Sequence, residues 1–222
     1  MCGRYTQKEN VDTLLKMLQV AHMPTLKPRY NIAPNQMVAC ARHSSENGSR
    51  ECVMLRWGLV PSWAKDVRTG SKMINARCET ITEKPSFRNA FRTRRCLVLA
   101  DGFYEWKREG KAKQPYYICF KDHRPFAFAG LWERWQQFED RIDSCAIITT
   151  GSNTLMEAIH PRMPVILNPR DFNTWLDPAV HEPASLSPLL SSCSSDEMKA
   201  YPVSTLVNNP RQDCEECMAE VA

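Results

Sequence analysis

The sequence predicts one α+β domain built around a largely antiparallel sheet or barrel, with short helices at its periphery. Three observations point that way. Short strand-like apolar runs recur along most of the chain, and helical periodicity is confined to brief segments between them. No internal repeat is present, and no polar stretch is long enough to separate two domains. A length of 222 residues suits one large domain or two small ones sharing a core. The expected organisation is a single domain over 1–222, with a core over 1–210 and an acidic tail over 211–222 whose role the sequence leaves open.

The first element is a helix over 10–21, with Val11, Leu14, Leu15 and Leu18 on one face behind an Asn10 cap. Pro24, Pro28 and Pro34 then break the chain into an irregular segment. Strands are expected over 37–41 and 52–59, joined by a polar loop containing Asn47-Gly48. Ser86 is placed as the cap of a short helix through Phe87, Ala90 and Phe91. Five strand candidates follow over 96–100, 103–107, 116–120, 126–131 and 142–149, with turns at Arg108-Glu109-Gly110 and Asp122-His123. A short helix fits 153–160 behind Asn153, turning Leu155, Met156 and Ile159 inward. Another starts at an Asn168 cap with Pro169 in first position and buries Phe172, Trp175 and Leu176. The Pro- and Ser-rich stretch 182–195 reads as a loop, or as a short helix after Ser187.

Composition narrows the setting. A hydrophobic content of 43% and a charged content of 24% fit an ordinary soluble protein. No apolar stretch reaches membrane-helix length, and the polar N-terminus lacks a signal-peptide core, so the cytoplasm is the expected compartment. Ten cysteines agree with a reducing compartment, where a buried thiol behaves as a small hydrophobe. Only Cys214 and Cys217 are spaced like metal ligands, and nothing completes a four-ligand set, so no metal is expected. The net charge of +4 is modest, but the segment from Lys84 to Lys113 holds nine Lys/Arg against three Asp/Glu. That bias suits a polyanion or a solvated basic face equally well.

Chemistry concentrates at the N-terminus. Loss of Met1 would leave Cys2 with an α-amine and a thiol on neighbouring carbons. Such a 1,2-aminothiol condenses with an aldehyde to a Schiff base and then closes a thiazolidine ring, an intramolecular step with a large effective-concentration advantage. Four further clusters accompany it. Met73-Ile-Asn-Ala-Arg-Cys-Glu-Thr places Asn75 and Arg77 two residues apart, on one face if extended. Ala100-Asp-Gly-Phe-Tyr-Glu-Trp sets the Glu105 carboxylate among aromatic residues, where it could move protons. Ile159-His-Pro-Arg-Met-Pro puts His160 at a helix end beside Arg162. Arg56-Trp-Gly-Leu-Val-Pro-Ser-Trp supplies Trp57 and Trp63, rings of the type that stack on unpaired bases. Each also has a plainer reading: Asn75 as a turn brace, Glu105 as a paired strand residue, His160 as a helix terminus, the tryptophans as core.

Taken together and in order, these motifs resemble the SOS-response-associated peptidase (SRAP) family of abasic-site processing proteins. The resemblance runs through Met-Cys-Gly-Arg at 1–4, Arg-Tyr-Asn-Ile-Ala-Pro at 29–34, Arg-Trp-Gly-Leu-Val-Pro-Ser-Trp at 56–63 and Ile-Asn-Ala-Arg at 74–77. It continues through Arg-Cys-Leu-Val-Leu-Ala-Asp-Gly-Phe-Tyr-Glu-Trp at 95–106, Gln-Pro-Tyr-Tyr-Ile at 114–118, Ile-His-Pro-Arg-Met-Pro at 159–164 and Val-Ser-Thr-Leu-Val-Asn-Asn at 203–209. It implies a β-barrel-like core and a positively charged groove. It also implies a covalent residue at Cys2, a lesion-facing amide at Asn75, a catalytic glutamate at Glu105 and a catalytic histidine at His160. The implied DNA contacts are Arg4, Trp63, Arg77, Thr149 and Arg162. Ala64 stands where some relatives carry a second tryptophan.

The expected activity is therefore sensing of abasic sites in single-stranded DNA, with single-strand/double-strand junctions as a candidate setting, and a covalent thiazolidine crosslink that shields the lesion during repair. It is lyase-type Schiff-base chemistry that needs no cofactor. The expected protein is a monomer, nucleoid-associated if bacterial, and Met1 could leave by an aminopeptidase or by self-cleavage. Two other readings stay open. An N-terminal-nucleophile amidohydrolase would use the same thiolate on an amide carbonyl, but paired arginines beside stacking aromatics suit DNA better than glutamine. A non-covalent reader of single-stranded or modified DNA would bind without needing Cys2.

Overall fold

Chain order begins β1 (Arg4–Gln7), α1 (Val11–Leu18), β2 (Arg29–Ile32), β3 (Met37–His43), β4 (Arg50–Trp57) and β5 (Asn75–Arg77) in a computed structural model that describes residues 2–44, 48–110 and 112–221. Next come α2 (Arg88–Thr93), β6 (Arg95–Ala100), β7 (Gly102–Glu109), β8 (Ala112–Phe120), β9 (Phe126–Gln137) and β10 (Asp140–Gly151). The last third holds α3 (Thr154–Glu157), β11 (Arg162–Pro164), β12 (Ile166–Leu167), α4 (Phe172–Leu176), α5 (Pro183–Leu186) and β13 (Met198–Pro202).

Five of these strands close on themselves. β10 pairs with β4, β4 with β3, β3 with β6 and β6 with β9, and β9 returns to β10 through the register Ile147↔Gly130 to Asp140↔Gln137. Closure removes the open edges that would otherwise present unpaired backbone groups. Flanking strands extend the barrel: β5 and β11 on β10, and β12 on β9. A second sheet has the order β13-β8-β7-β1-β2. Among the described pairings only β10 with β4 and β10 with β5 are parallel. The α+β class and the largely antiparallel, barrel-like core are as expected.

Barrel strands are covered on both faces, as β6 shows. Leu97 and Leu99 pack with Leu14 and Leu18 of α1, Phe91 of α2 and Phe172 and Trp175 of α4. Cys96, Val98 and Ala100 pack with Tyr5, Phe103 and Ile118 of the second sheet. Alternation of side chains along a strand thus sorts one apolar run into two clusters. The first helix forms behind its expected cap, with Asn10 Oδ1 accepting from the Thr13 amide at 2.9 Å. It ends at Leu18 and not at 21, because Gln19 takes the left-handed conformation. Asn153 and Asn168 cap the later segments as expected, through the amides of Met156 (3.0 Å) and Arg170 (3.1 Å). No helix among the described residues is long and apolar enough to cross a membrane.

Some local expectations are corrected. Ser86 does not cap α2; the helix begins one residue later from Phe87, with no side-chain cap. Helix in 182–195 starts earlier than expected, at Pro183, where the fixed φ suits a first turn, and continues as a 3-10 turn over Ser187–Leu190. Asn47 of the polar loop lies outside the described residues. The basic excess of 84–113 is only partly a surface. Arg95 is buried and donates to the carbonyls of Phe91 (2.8 Å), Arg92 (2.6 Å), Trp175 (2.5 Å), Asp177 (2.5 Å) and Val180 (2.8 Å). It clamps α2 to the α4 end. Burial lowers its pKa to about 10, yet it stays charged at neutral pH.

Candidate active site

Cys2 enters the site because β1 is held on both sides. Arg4, Tyr5 and Thr6 pair with Tyr104, Phe103 and Gly102 of β7, and Tyr5 pairs with Ile32 of β2. Asp101 locks the exit of β1, accepting from the Thr6 hydroxyl and the Lys8 amide (both 2.5 Å) and from the Glu9 amide (2.9 Å). Residue 2 is thereby fixed in the core, fully buried, its Sγ 3.9 Å from the Arg4 carbonyl.

Three strand systems bring the other expected residues to it. β5 runs beside β10 with Ile147↔Asn75 and Thr149↔Arg77 in register. Asn75 Nδ2 donates to the Cys2 carbonyl at 2.8 Å. Its Oδ1 is buried with no hydrogen-bond partner among the described residues, leaving an acceptor at the N-terminus. Glu105 lies on β7 opposite Tyr116 and is only 2% exposed. Its carboxylate is close enough for its charge to act on Cys2: burial pushes the thiol well up, and Glu105 pushes it the same way. Tyr116, Ile74, Ile159 and Met163 all pack in the cluster that contains Cys2. The chain or cross-strand neighbours of Glu105, Asn75, His160 and Arg162 therefore belong to the same hydrophobic cluster as Cys2.

His160 follows α3, its amide bonded to the Met156 carbonyl at 2.8 Å. The Arg162 amide donates to Nδ1 at 3.0 Å, with the Arg162 carbonyl 3.1 Å from the same nitrogen. The amide asks for a lone pair on Nδ1 and the carbonyl for a proton there, so the ring is oriented by the Arg162 main chain through one nitrogen in either tautomer.

The expected DNA contacts divide sharply. Arg77 is exposed, and no hydrogen bond or ion pair among the described residues holds its guanidinium. Trp63 is 61% exposed. Its loop is held down where Gly58 and Gly70 meet: a Cβ at Gly70 would lie 2.5 Å from the Gly58 carbonyl oxygen, so only glycine fits. The Ala64 carbonyl accepts from Trp135 Nε1 at 2.7 Å on the other side. Trp57, by contrast, is core and not a stacking platform, fully buried edge-on to Tyr5 with Nε1 donating to the Ile74 carbonyl at 2.9 Å.

Arg162, Thr149 and Arg4 are engaged internally. Arg162 Nη2 donates to the Thr149 carbonyl (2.6 Å) and hydroxyl (3.2 Å), and the guanidinium forms a two-point ion pair with Glu79. Thr149 itself is fully buried. Arg4 Nη1 donates to the Val207 carbonyl at 2.6 Å and to Asn31 Oδ1 at 3.0 Å, and Nη2 to the Asn208 carbonyl at 3.3 Å. Thr149 and Arg4 are therefore placed to position other groups, Thr149 fully buried and Arg4 half-buried.

Two features escaped the sequence reading. Glu79 sits inside a motif already singled out, two residues after Arg77, and that proximity was its only signal. The acidic tail is the other. Asp213 pairs with Arg29 and accepts from the amides of Tyr30 (2.6 Å) and Asn31 (2.8 Å), while Asn31 Nδ2 donates to the Val207, Asn209 and Gln212 carbonyls. Cys217 is fully buried against Tyr104, Tyr117 and Val203. No motif marks a clasp made of backbone carbonyls.

Comparison with known proteins gives the family. The family model for SOS response associated peptidase (SRAP) matches residues 1–210. The chain is 44% identical over 221 residues to the abasic site processing protein YoqW of Bacillus subtilis (strain 168), covering 97% of this chain and 98% of that one. It is 33% identical over 225 residues to the abasic site processing protein HMCES of Xenopus tropicalis, over 88% of this chain and 67% of that one. A crystal structure of a protein from Bacteroides thetaiotaomicron superposes with a TM-score of 0.87 at 26% identity, over the whole of both chains. The chain belongs to the SRAP family.

Proposed function

We propose that this protein recognises abasic sites in single-stranded DNA and bonds to them through Cys2 once Met1 has been removed. One observation carries the reading: a fully buried Cys2 is held by Asn75 through a 2.8 Å hydrogen bond, with the Glu105 carboxylate acting on its thiol. A structural cysteine needs neither partner. A residue that must present an α-amine and a thiol to one carbon needs its backbone fixed and a base beside it. The family relationship, and the names of YoqW and HMCES, support the same substrate.

The chemistry follows from the residues. An abasic deoxyribose is mostly a closed hemiacetal, and His160 supplies the proton shuttle for ring opening. Glu105 accepts a proton from the α-ammonium, the free amine adds to C1′, and the proton returns to the departing hydroxyl as water leaves. The product is an iminium. A thiol raised by burial stays protonated until that positive charge forms beside it. It then gives its proton to Glu105 while sulfur adds to C1′, closing the thiazolidine. Overall, aldehyde and aminothiol give ring and water. Arg77 is the open phosphate contact, Trp63 the stacking face, and Arg162 a second phosphate site.

The Cys2→Ser variant tests the order of steps. Its amine still forms the imine, but serine's hydroxyl is a poor nucleophile at neutral pH. The imine therefore persists, and loss of a C2′ proton with departure of the 3′-phosphate competes. On a denaturing gel of end-labelled abasic DNA, the native protein gives a stable adduct and the serine variant gives nicked strand. A serine variant that neither nicks nor is trapped by borohydride would show that the amine is not the first nucleophile.

A further inference from the structure

Arg77 and Arg162 lie on strands either side of β10, at Thr149↔Arg77 and Gly151↔Arg162, yet their surroundings differ. Arg77 is exposed and has no partner among the described residues. Arg162 carries a carboxylate on its solvent side. Glu79 reaches both terminal nitrogens, with Nη2 to Oε2 at 3.0 Å. The Arg162 side chain is 16% exposed and that of Glu79 is 52% exposed, so the acid covers the base. The Thr149 carbonyl and hydroxyl take the inner edge of the guanidinium, and Nε is buried without a partner among the described residues. The edge that Glu79 occupies is the one through which a phosphate would enter.

We infer that Glu79 is a built-in stand-in for a phosphate: it occupies Arg162 in the DNA-free protein and yields it to the backbone of a bound strand. A carboxylate and a phosphate present similar two-oxygen edges to a guanidinium. An ion pair half open to water is weak enough to be displaced. Glu79 also follows Arg77 by two residues, so a phosphate resting on Arg77 arrives beside the acid and repels it. The device lowers affinity for a strand that supplies one phosphate only. It favours a strand that presents two phosphates across the Cys2 site together. This inference rests on the proposed DNA-binding role of the groove.

Salt dependence tests it, because counterion release follows the net charge a site delivers. Arg162 with Glu79 delivers none, whereas free Arg77 delivers one. Binding of an intact, mixed-sequence single-stranded oligonucleotide is measured across a salt series. Glu79→Gln should bind roughly two- to fivefold tighter at low salt, the range of a surface ion pair, with a log–log slope steeper by about 0.7. Arg162→Gln should flatten the slope by about 0.7 in either background, because Arg162 meets a phosphate once Glu79 has yielded it. Weaker binding by a folded Glu79→Gln variant, or an unchanged slope, overturns the inference and makes Glu79 a support for Arg162. If Glu79→Gln does not fold, Arg162→Gln in the native background decides the matter: an unchanged slope means that Arg162 never meets a phosphate, and overturns the inference. Arg77→Ala distinguishes the two levels: if it also leaves slope and affinity untouched, the groove is not a DNA site and the underlying reading fails instead.

Discussion

The two edges of the Cys2 site use arginine in opposite ways. On the β5–β10–β11 edge, Arg77 faces solvent with no partner among the described residues, and Arg162 is covered only by a half-exposed acid. On the β1–β2 edge, Arg4 lies half-buried against the C-terminal segment and hydrogen-bonds to the carbonyls of Val207 and Asn208. All three belong to motifs that read as DNA contacts. What each arginine can contribute depends on what already holds its donors: nothing among the described residues for Arg77, the Glu79 side chain with Thr149 for Arg162, and two main-chain carbonyls with Asn31 for Arg4. The first edge is open to a ligand; the second is a clasp that keeps β1, and so Cys2, in place.

The largest effect that would break this contrast comes from Arg4→Ala. It leaves Val207 and Asn31 without a charged donor and should cost about 2–3 kcal/mol of stability, read as a lower thermal midpoint, with DNA affinity per folded molecule nearly unchanged. A stable variant with lost affinity would move Arg4 to the open edge. Trp63→Ala should do the reverse, weakening single-stranded DNA binding by about 1–3 kcal/mol, the value of one stacked base, and leaving the thermal midpoint in place.

Asp213 sharpens the clasp through pH. Burial alone would raise its pKa, but Arg29 and the amides of Tyr30 and Asn31 outweigh that and hold the carboxyl below its ordinary value. A depressed folded pKa means stability that is present above the unfolded value, about 3.9, and lost as pH falls through the folded one. Asp213→Asn should therefore melt lower than the native protein at pH 7, with the gap closing below about pH 4. A gap that persists in acid would mean that charge is not what Asp213 supplies. The smallest effect belongs to Arg77→Ala: stability unchanged within about 0.5 kcal/mol and a salt slope flatter by about 0.7.

Legibility in the sequence followed the range of the interaction. Strands with sustained apolar runs, such as β6, and helices with an asparagine cap, such as α1, are local patterns and were readable. β5, β11 and β12 are only two or three residues long and exist through pairing with β10 and β9, so no local pattern announces them. Cys2, Asn75, Glu105 and His160 stood out because each sits in a motif of chemistry-bearing residues. Which arginines face outward did not, because that depends on where the chain's end and Glu79 lie in space. Burial of Trp57 beside exposed Trp63 is the same lesson: one motif supplied both rings, and packing against Tyr5 separated them.

The central claim is that the α-amine and thiol of Cys2 bond together to the abasic aldehyde. Intact-mass analysis under denaturing conditions, after mixing the Met1-free protein with abasic single-stranded DNA and no reductant, tests it most directly. The account predicts one species at the sum of protein and oligonucleotide masses less one water, absent for Cys2→Ala and absent when one residue precedes Cys2. An equal yield of adduct from the extended protein would show that the amine takes no part, and would contradict the account.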